Sequence, residues 1–143
     1  MTTDHTGEAT APRLLCFHKQ STSARTRFLC HGTSVLAFAP LPDNSSLMSS
    51  PGKVKPHPSA HVQTLASHLG ISTAHLRAET DFYIDVTTPD GRVPVLLIEV
   101  TLQDPPFSKA EAIGARFIAL TEARALPSIE LELLRKAYEH ILG

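Results

Sequence analysis

Imidazole is the side chain whose charge changes nearest neutral pH, and it also ligates borderline metals, so the eight histidines of this 143-residue chain are its first candidates for chemistry. Four of them, His57, His61, His68 and His75, fall in one stretch. His57, His61 and His68 would share one side of a continuous helix, and His57 with His61 has the i, i+4 spacing of zinc-binding helices. Pro58 lies between those two, which places His57 outside the helix or at its start, and no cysteine or carboxylate lies near enough in sequence to complete a shell. Cys16-x-His18 and Cys30-His31 are the other pairs; successive strand residues face opposite sides, so Cys30 and His31 do not easily share a metal. The expectation is surface or partly buried histidines, with no metal site. Asp81, Asp85 and Glu99 would face one another across a hairpin as an acid–base pair does. The competing expectation is the solvated face of a half-exposed sheet.

Three longer fragments carry family likenesses. Leu29-Cys30-His31-Gly32-Thr33 is similar to the His-Gly oxyanion loop of α/β-hydrolases, but the chain has no G-x-S-x-G elbow. Ser50-Pro51-Gly52-Lys53 matches S-x-x-K without a K-T-G partner, and the glycines are too scattered for a phosphate-cradling loop. Residues 62–77, VQTLASHLGISTAHLR, resemble the helix-turn-helix family of DNA-binding proteins: Ala66 packs the first helix closely, Gly70 permits the turn, and Leu65, Leu69, Ile71 and Leu76 fill the buried positions. The resemblance implies a recognition helix beginning at Ser72, with Ser72, Thr73, His75 and Arg77 facing the groove and the next strand pair as a wing. Lys53 and Lys55 would form a basic arm ahead of the first helix. Glu79 and Thr80 stand where that pattern has another apolar residue, and Asp81 adds a charge that phosphates repel.

The elements that would position these residues are unevenly marked. Residues 1–11 read as a disordered tail. Residues 12–40 form a weakly patterned β-rich segment, with apolar runs at 14–17, 28–30 and 35–38 and a possible turn at His31-Gly32. Residues 41–56 are rich in Pro and Ser and read as a linker. Residues 57–143 read as a compact α+β domain. Within it, Val62, Leu65, Ala66 and Leu69 mark one face of a helix closed by Gly70, and Ser72 opens a second short helix. Phe82, Ile84 and Val86 alternate as a strand; Pro89-Asp90-Gly91 turns it into a second strand over 92–102, central by its run of four aliphatics and with Pro94 at an edge or bulge. Ser108 and Glu111 read as a capping box for a helix running to about residue 125, with Ala110, Ile113, Phe117 and Leu120 on one face. Ser128 opens a last helix with Leu134, Ala137, Tyr138 and Ile141 on its face and Glu132–Lys136 as a supporting pair. The fold expectation is α+β: a short helix pair, an antiparallel hairpin or small sheet, and two C-terminal amphipathic helices packed on it. Every strong signal lies after residue 57, so a chain starting at Met48 is expected to fold alone.

Composition bounds the function. An apolar fraction of 42% and a charged fraction of 19% are those of a globular protein. A net charge of −1 gives no global footprint for nucleic acid or membrane. It conceals a basic stretch, 44–78, with no acid and with Lys53, Lys55 and Arg77, followed by eleven acids against six bases. Two cysteines do not make a disulfide framework, and no apolar run approaches a membrane span, so a cytoplasmic protein with free thiols and no membrane partner is expected. No catalytic, cofactor-binding or metal-ligating set is assigned. The leading expectation is a non-enzymatic regulatory or protein-interaction module, through a protein partner or self-association. The alternatives are a helix-turn-helix or winged-helix DNA-binding protein, and a small hydrolase or metal-dependent enzyme with its site assembled from scattered residues.

Overall fold

The computed structural model describes residues 11–48 and 59–143. The expected tail up to residue 10 and the linker from residue 49, with Ser50, Lys53, Lys55 and His57, lie outside the described residues. In chain order the elements are β1 (Arg13–Gln20), β2 (Arg25–His31), β3 (Leu36–Ala37), β4 (Ser46–Leu47), α1 (Ser59–Leu69), a 3-10 turn (Thr73–His75) and β5 (Leu76–Ala78). Then come β6 (Ile84–Thr88), β7 (Gly91–Val100), α2 (Phe107–Ala112), β8 (Ala115–Ile118), a 3-10 turn (Leu120–Glu122) and α3 (Ser128–Leu142). The strands make one mixed sheet in the order β4-β6-β7-β1-β2-β8, with β3 also on β1 and β5 also on β7. β1 and β7 run parallel, from Arg13 opposite Val95 to Phe17 opposite Glu99; β1–β2, β2–β8 and β6–β7 are antiparallel. This corrects the expected fold. The described residues are dominated by an eight-stranded sheet with three α-helices, not by a short helix pair, a hairpin and two C-terminal helices.

The sheet centre is built from segments that alternate poorly because both of their faces are covered. In β1, Leu15 and Phe17 enter one core while Leu14 and Cys16 enter the other. In β7, Val95 and Leu97 face the first core, and Leu96 and Ile98 the second. The expected central position of this strand is therefore observed. Pro94 lies just before the first β7 residue with a β1 partner, where its missing N–H removes no bond to β1. Leu133, Leu134 and Ala137 of α3 close the first core; Leu65, Ala66 and Leu69 of α1 and Ala110 of α2 close the second. The arrangement is three layers, with the sheet between α3 and the pair α1, α2.

Two expected helices are corrected by the ladders that displace them. Ser72 does cap a turn, its Oγ accepting the Ala74 N–H at 3.1 Å, but the turn ends at His75 and Leu76–Ala78 pairs with β7 instead. A single apolar residue, Leu76, gives a helix there almost nothing to bury, whereas strand pairing satisfies the backbone and still buries Leu76. The long helix expected from Ser108 stops at Ala112; Pro106, not Ser108, occupies its N-cap. Gly114 takes a φ of +75°, which a glycine tolerates without penalty, and the chain leaves as β8. Ala110 and Phe117 share a core in both readings, since i, i+7 spacing does not distinguish one helix from a helix followed by a strand.

Candidate functional site

β2 ends at His31, where the chain reverses through Gly32 at φ +60° and returns to Ser34, which exchanges backbone hydrogen bonds with His31 at 2.7 and 3.0 Å. This reversal, the end of α1 and the start of α3 enclose a cleft of about 420 Å³. Its rim is apolar, made by Leu36, Phe38, Pro40 and Pro127, and Phe38 is half exposed. His31, Ser34, His68 and Glu130 supply its polar groups.

His31 and His68 meet through their Nε2 atoms at 2.9 Å, with ring centroids 5.1 Å apart and planes inclined by 32°. That centroid separation is close to the largest that such a contact permits, so the rings meet head-on. One nitrogen donates and the other accepts. A metal bound by both would need the nitrogens to converge on a third point, and among the described residues no group of three or more His, Cys, Asp or Glu could hold a metal ion. Phe38 stands edge-on to His68 with centroids 5.5 Å apart. Burial, and next the neighbouring His68, hold the His31 imidazole below its ordinary range.

Glu130 enters from the first turn of α3 and is only 1% exposed. Its Oε1 accepts the Val35 N–H and its Oε2 the Ser34 hydroxyl, both at 2.8 Å, while Ser34 Oγ accepts the Leu36 N–H at 3.1 Å. The carboxylate thus clamps the residues leading into β3. Burial raises its pKa, and the bonds from Val35 and Ser34 oppose that rise. Beneath the cleft, burial also raises the Cys30 thiol, against the pull of Arg116. Cys16 is pushed up to about 12 by burial in the sheet. Neither is a ready nucleophile, because the thiolate is the reactive form. Both cysteines are free. Native protein at pH 8 should therefore react slowly with a thiol reagent and give two adducts rapidly once denatured; rapid labelling of the native chain would contradict the burial.

The residues singled out for DNA are not brought into a reading surface. Ser72, Thr73 and His75 are exposed on the 3-10 turn, where no recognition helix forms, and Lys53 and Lys55 lie outside the described residues. Arg77, on β5, is ion-paired with Glu99 and Glu79, Glu99 being the main cause of its raised pKa. Glu79 also meets His140 Nε2 at 3.2 Å. His61 is half-buried on α1, away from any set of ligands in the described residues. His18 is fully buried and donates its Nε2–H to the Leu102 carbonyl at 2.7 Å. The carboxylate trio does not assemble either. Asp81 is exposed; Asp85 is buried opposite Pro94 and accepts from Tyr83 Oη–H and Arg92, each at 2.9 Å; Glu99 lies farther along β7 on Arg77. Asp85 therefore does not belong to a solvated sheet face.

Sequence reasoning missed both pairs that build the cleft. His31 and His68 are 37 residues apart, and no spacing rule joins them. Glu130 did leave a signal: Leu133, Leu134 and Ala137 follow it at i+3, i+4 and i+7, so it occupies a core position of α3. Among the described residues no helix is long and apolar enough to cross a membrane. No family model matches the sequence, and no curated protein matches it.

Proposed function

We propose that the protein is a non-enzymatic interaction module and that the cleft beside His31 and His68 is where a partner's apolar side chain docks. The observation that carries this reading is an apolar rim over polar groups that are bonded among themselves through Glu130, Ser34 and the facing His31 and His68 Nε2 atoms, with the buried His31 Nδ1 left without a hydrogen-bond partner. Glu130 is committed to Val35 and Ser34, and His31 to His68, so the cleft offers a partner packing surface instead of an activated nucleophile. The half-exposed Phe38 and the prolines Pro40 and Pro127 suit an aromatic or branched aliphatic group entering from a partner segment. A volume of about 420 Å³ is ample for one such side chain. The DNA-binding alternative loses the helix on which its specificity depended.

The test is an NMR titration of the full chain with N-acetyl amides of Phe, Leu and Trp. The strongest shifts should fall on Phe38, His31 and His68, and Phe38→Ala should weaken binding about tenfold, or about 1.4 kcal/mol. Shifts centred instead on the open groove beside Tyr138, or a Phe38→Ala protein with unchanged affinity, would defeat the proposal.

A further inference from the structure

We infer that the head-on contact between His31 and His68 is a proton-operated latch that fixes the end of α1 against the end of β2 and so sets the shape of the cleft. As a regulator of docking it rests on the reading above; as a conformational device it rests on the geometry alone. Two imidazoles that meet through facing nitrogens hold one proton between them, whether the pair is neutral or singly charged. A second proton places N–H against N–H and charge against charge at 2.9 Å, and the contact must open.

The positions of the two residues make that opening local. His31 stands just before the Gly32 reversal, and His68 lies in the last turn of α1, just ahead of Gly70 at φ +74°. Leu65 and Leu69 remain anchored in the second core, so α1 is not expected to leave the sheet. What moves is the cleft wall, because Phe38 packs on His68.

The charged and titratable groups around the pair come from every neighbouring element. Glu130 of α3 lines the same cleft, Cys30 precedes His31, and Arg116 of β8 lies opposite Cys30. A side chain at Gly70 would meet Lys109 of α2 at 3.8 Å, Arg13 of β1 reaches the Pro40 carbonyl at 3.4 Å, and His61 lies two turns earlier on α1. Arg116, Lys109 and Arg13 are the fixed cations on these elements, and Glu130, already clamped by Val35 and Ser34, is the carboxylate in the cleft. The folded His31 imidazole is depressed below its ordinary 6.5, so the stability it contributes is present above that pH and is lost as pH falls through its folded value. The latch therefore opens on acidification below about 6.5.

The test follows the imidazole resonances and amide exchange of the full chain between pH 8 and pH 4.5. The His31 resonances should titrate below the ordinary imidazole range. Exchange at residues 31–36 and 65–70, taken relative to the intrinsic rate at each pH, should rise at least several-fold as His31 gains its proton. His68→Phe keeps a ring for Phe38 but no proton, and should abolish that exchange step; His68→Gln serves if the Phe variant does not fold, and His61→Phe should leave the step intact. A His31 titration that neither His68 substitution changes, or an exchange step that survives both, would overturn the latch. The amide probes separate the two proposals: a step without probe binding at any pH supports the latch and defeats the docking site. Probe affinity unchanged through the step means that the latch does not regulate docking.

Discussion

A chain that begins at Met48 should show no cooperative unfolding transition in urea, while the full chain should show one. The expectation from periodicity was the reverse, because the capped and amphipathic segments lie beyond residue 57. Removing residues 1–47 takes away β1 and β2, which stand between β7 and β8 in the sheet. It strips Leu14, Leu15, Cys16, Phe17, Phe28, Leu29 and Cys30 from the two cores, each at 3% exposure or less. Burial of a large apolar side chain contributes about 1.5–3 kcal/mol. The loss therefore equals or exceeds the whole stability of a typical domain, about 5–15 kcal/mol. β8 would lose its partner and β7 one complete edge. A sigmoidal transition in the shorter chain, with a slope appropriate to its size, would show that the sheet closes without its centre.

Glu130→Ala should destabilise the protein by about 3 kcal/mol, since it leaves the buried Val35 N–H and Ser34 hydroxyl without their acceptor and opens a void under α3. Tyr138→Ala, which periodicity marks as a large core truncation, should cost less, about 1–2 kcal/mol, because Tyr138 is only partly buried. Urea melts at pH 7 order the two; a Glu130→Ala protein within about 0.5 kcal/mol of wild type would mean that the clamp is dispensable. The pH dependence gives a second handle. The folded carboxyl is raised above its ordinary 4.5, so the stability it contributes is fully present below that pH and declines as pH rises through the folded value. Glu130→Gln has no proton to lose and should lack this component of the pH profile.

The parts of the structure most legible in the sequence were those whose burial is one-sided, with β7 the exception, marked by its run of four aliphatics after the Pro89-Asp90-Gly91 turn. Val62, Leu65, Ala66 and Leu69 announced α1, and Gly70 announced its end, with its N–H on the Ala66 carbonyl at 2.8 Å. Two-sided burial erased the alternation that marks a strand. In 14–17, every side chain enters one core or the other, and the resulting unbroken run carries no period. In α3, two buried positions, Leu134 and Ala137, were read correctly but the stripe was set one residue off, so Leu133 and Glu130 were missed. Helix spacing also hid β8, because Phe117 fits either element and only the positive φ at Gly114 decides between them. The cleft was the least legible part. Its pairs join β2 to α1 and the β2–β3 reversal to α3, contacts made by the fold and by no local pattern.

The parallel ladder between β1 and β7 also sets a timetable for synthesis. Arg13 pairs with Val95 and Phe17 with Glu99, so the N-terminal strand emerges from the ribosome long before the strand it must lie beside. At about 5–20 residues per second, that interval lasts on the order of several seconds. During it, β1 has only β2 beside Phe17 and the two-residue β3 beside Leu14 and Leu15, and so small an antiparallel unit is marginally stable in water. Closing so long a loop before any contact rewards it is slow. The nascent chain is thus exposed to edge-to-edge association throughout that interval, and its yield in cells should depend more on holdase chaperones and growth temperature than the stability of the finished sheet suggests.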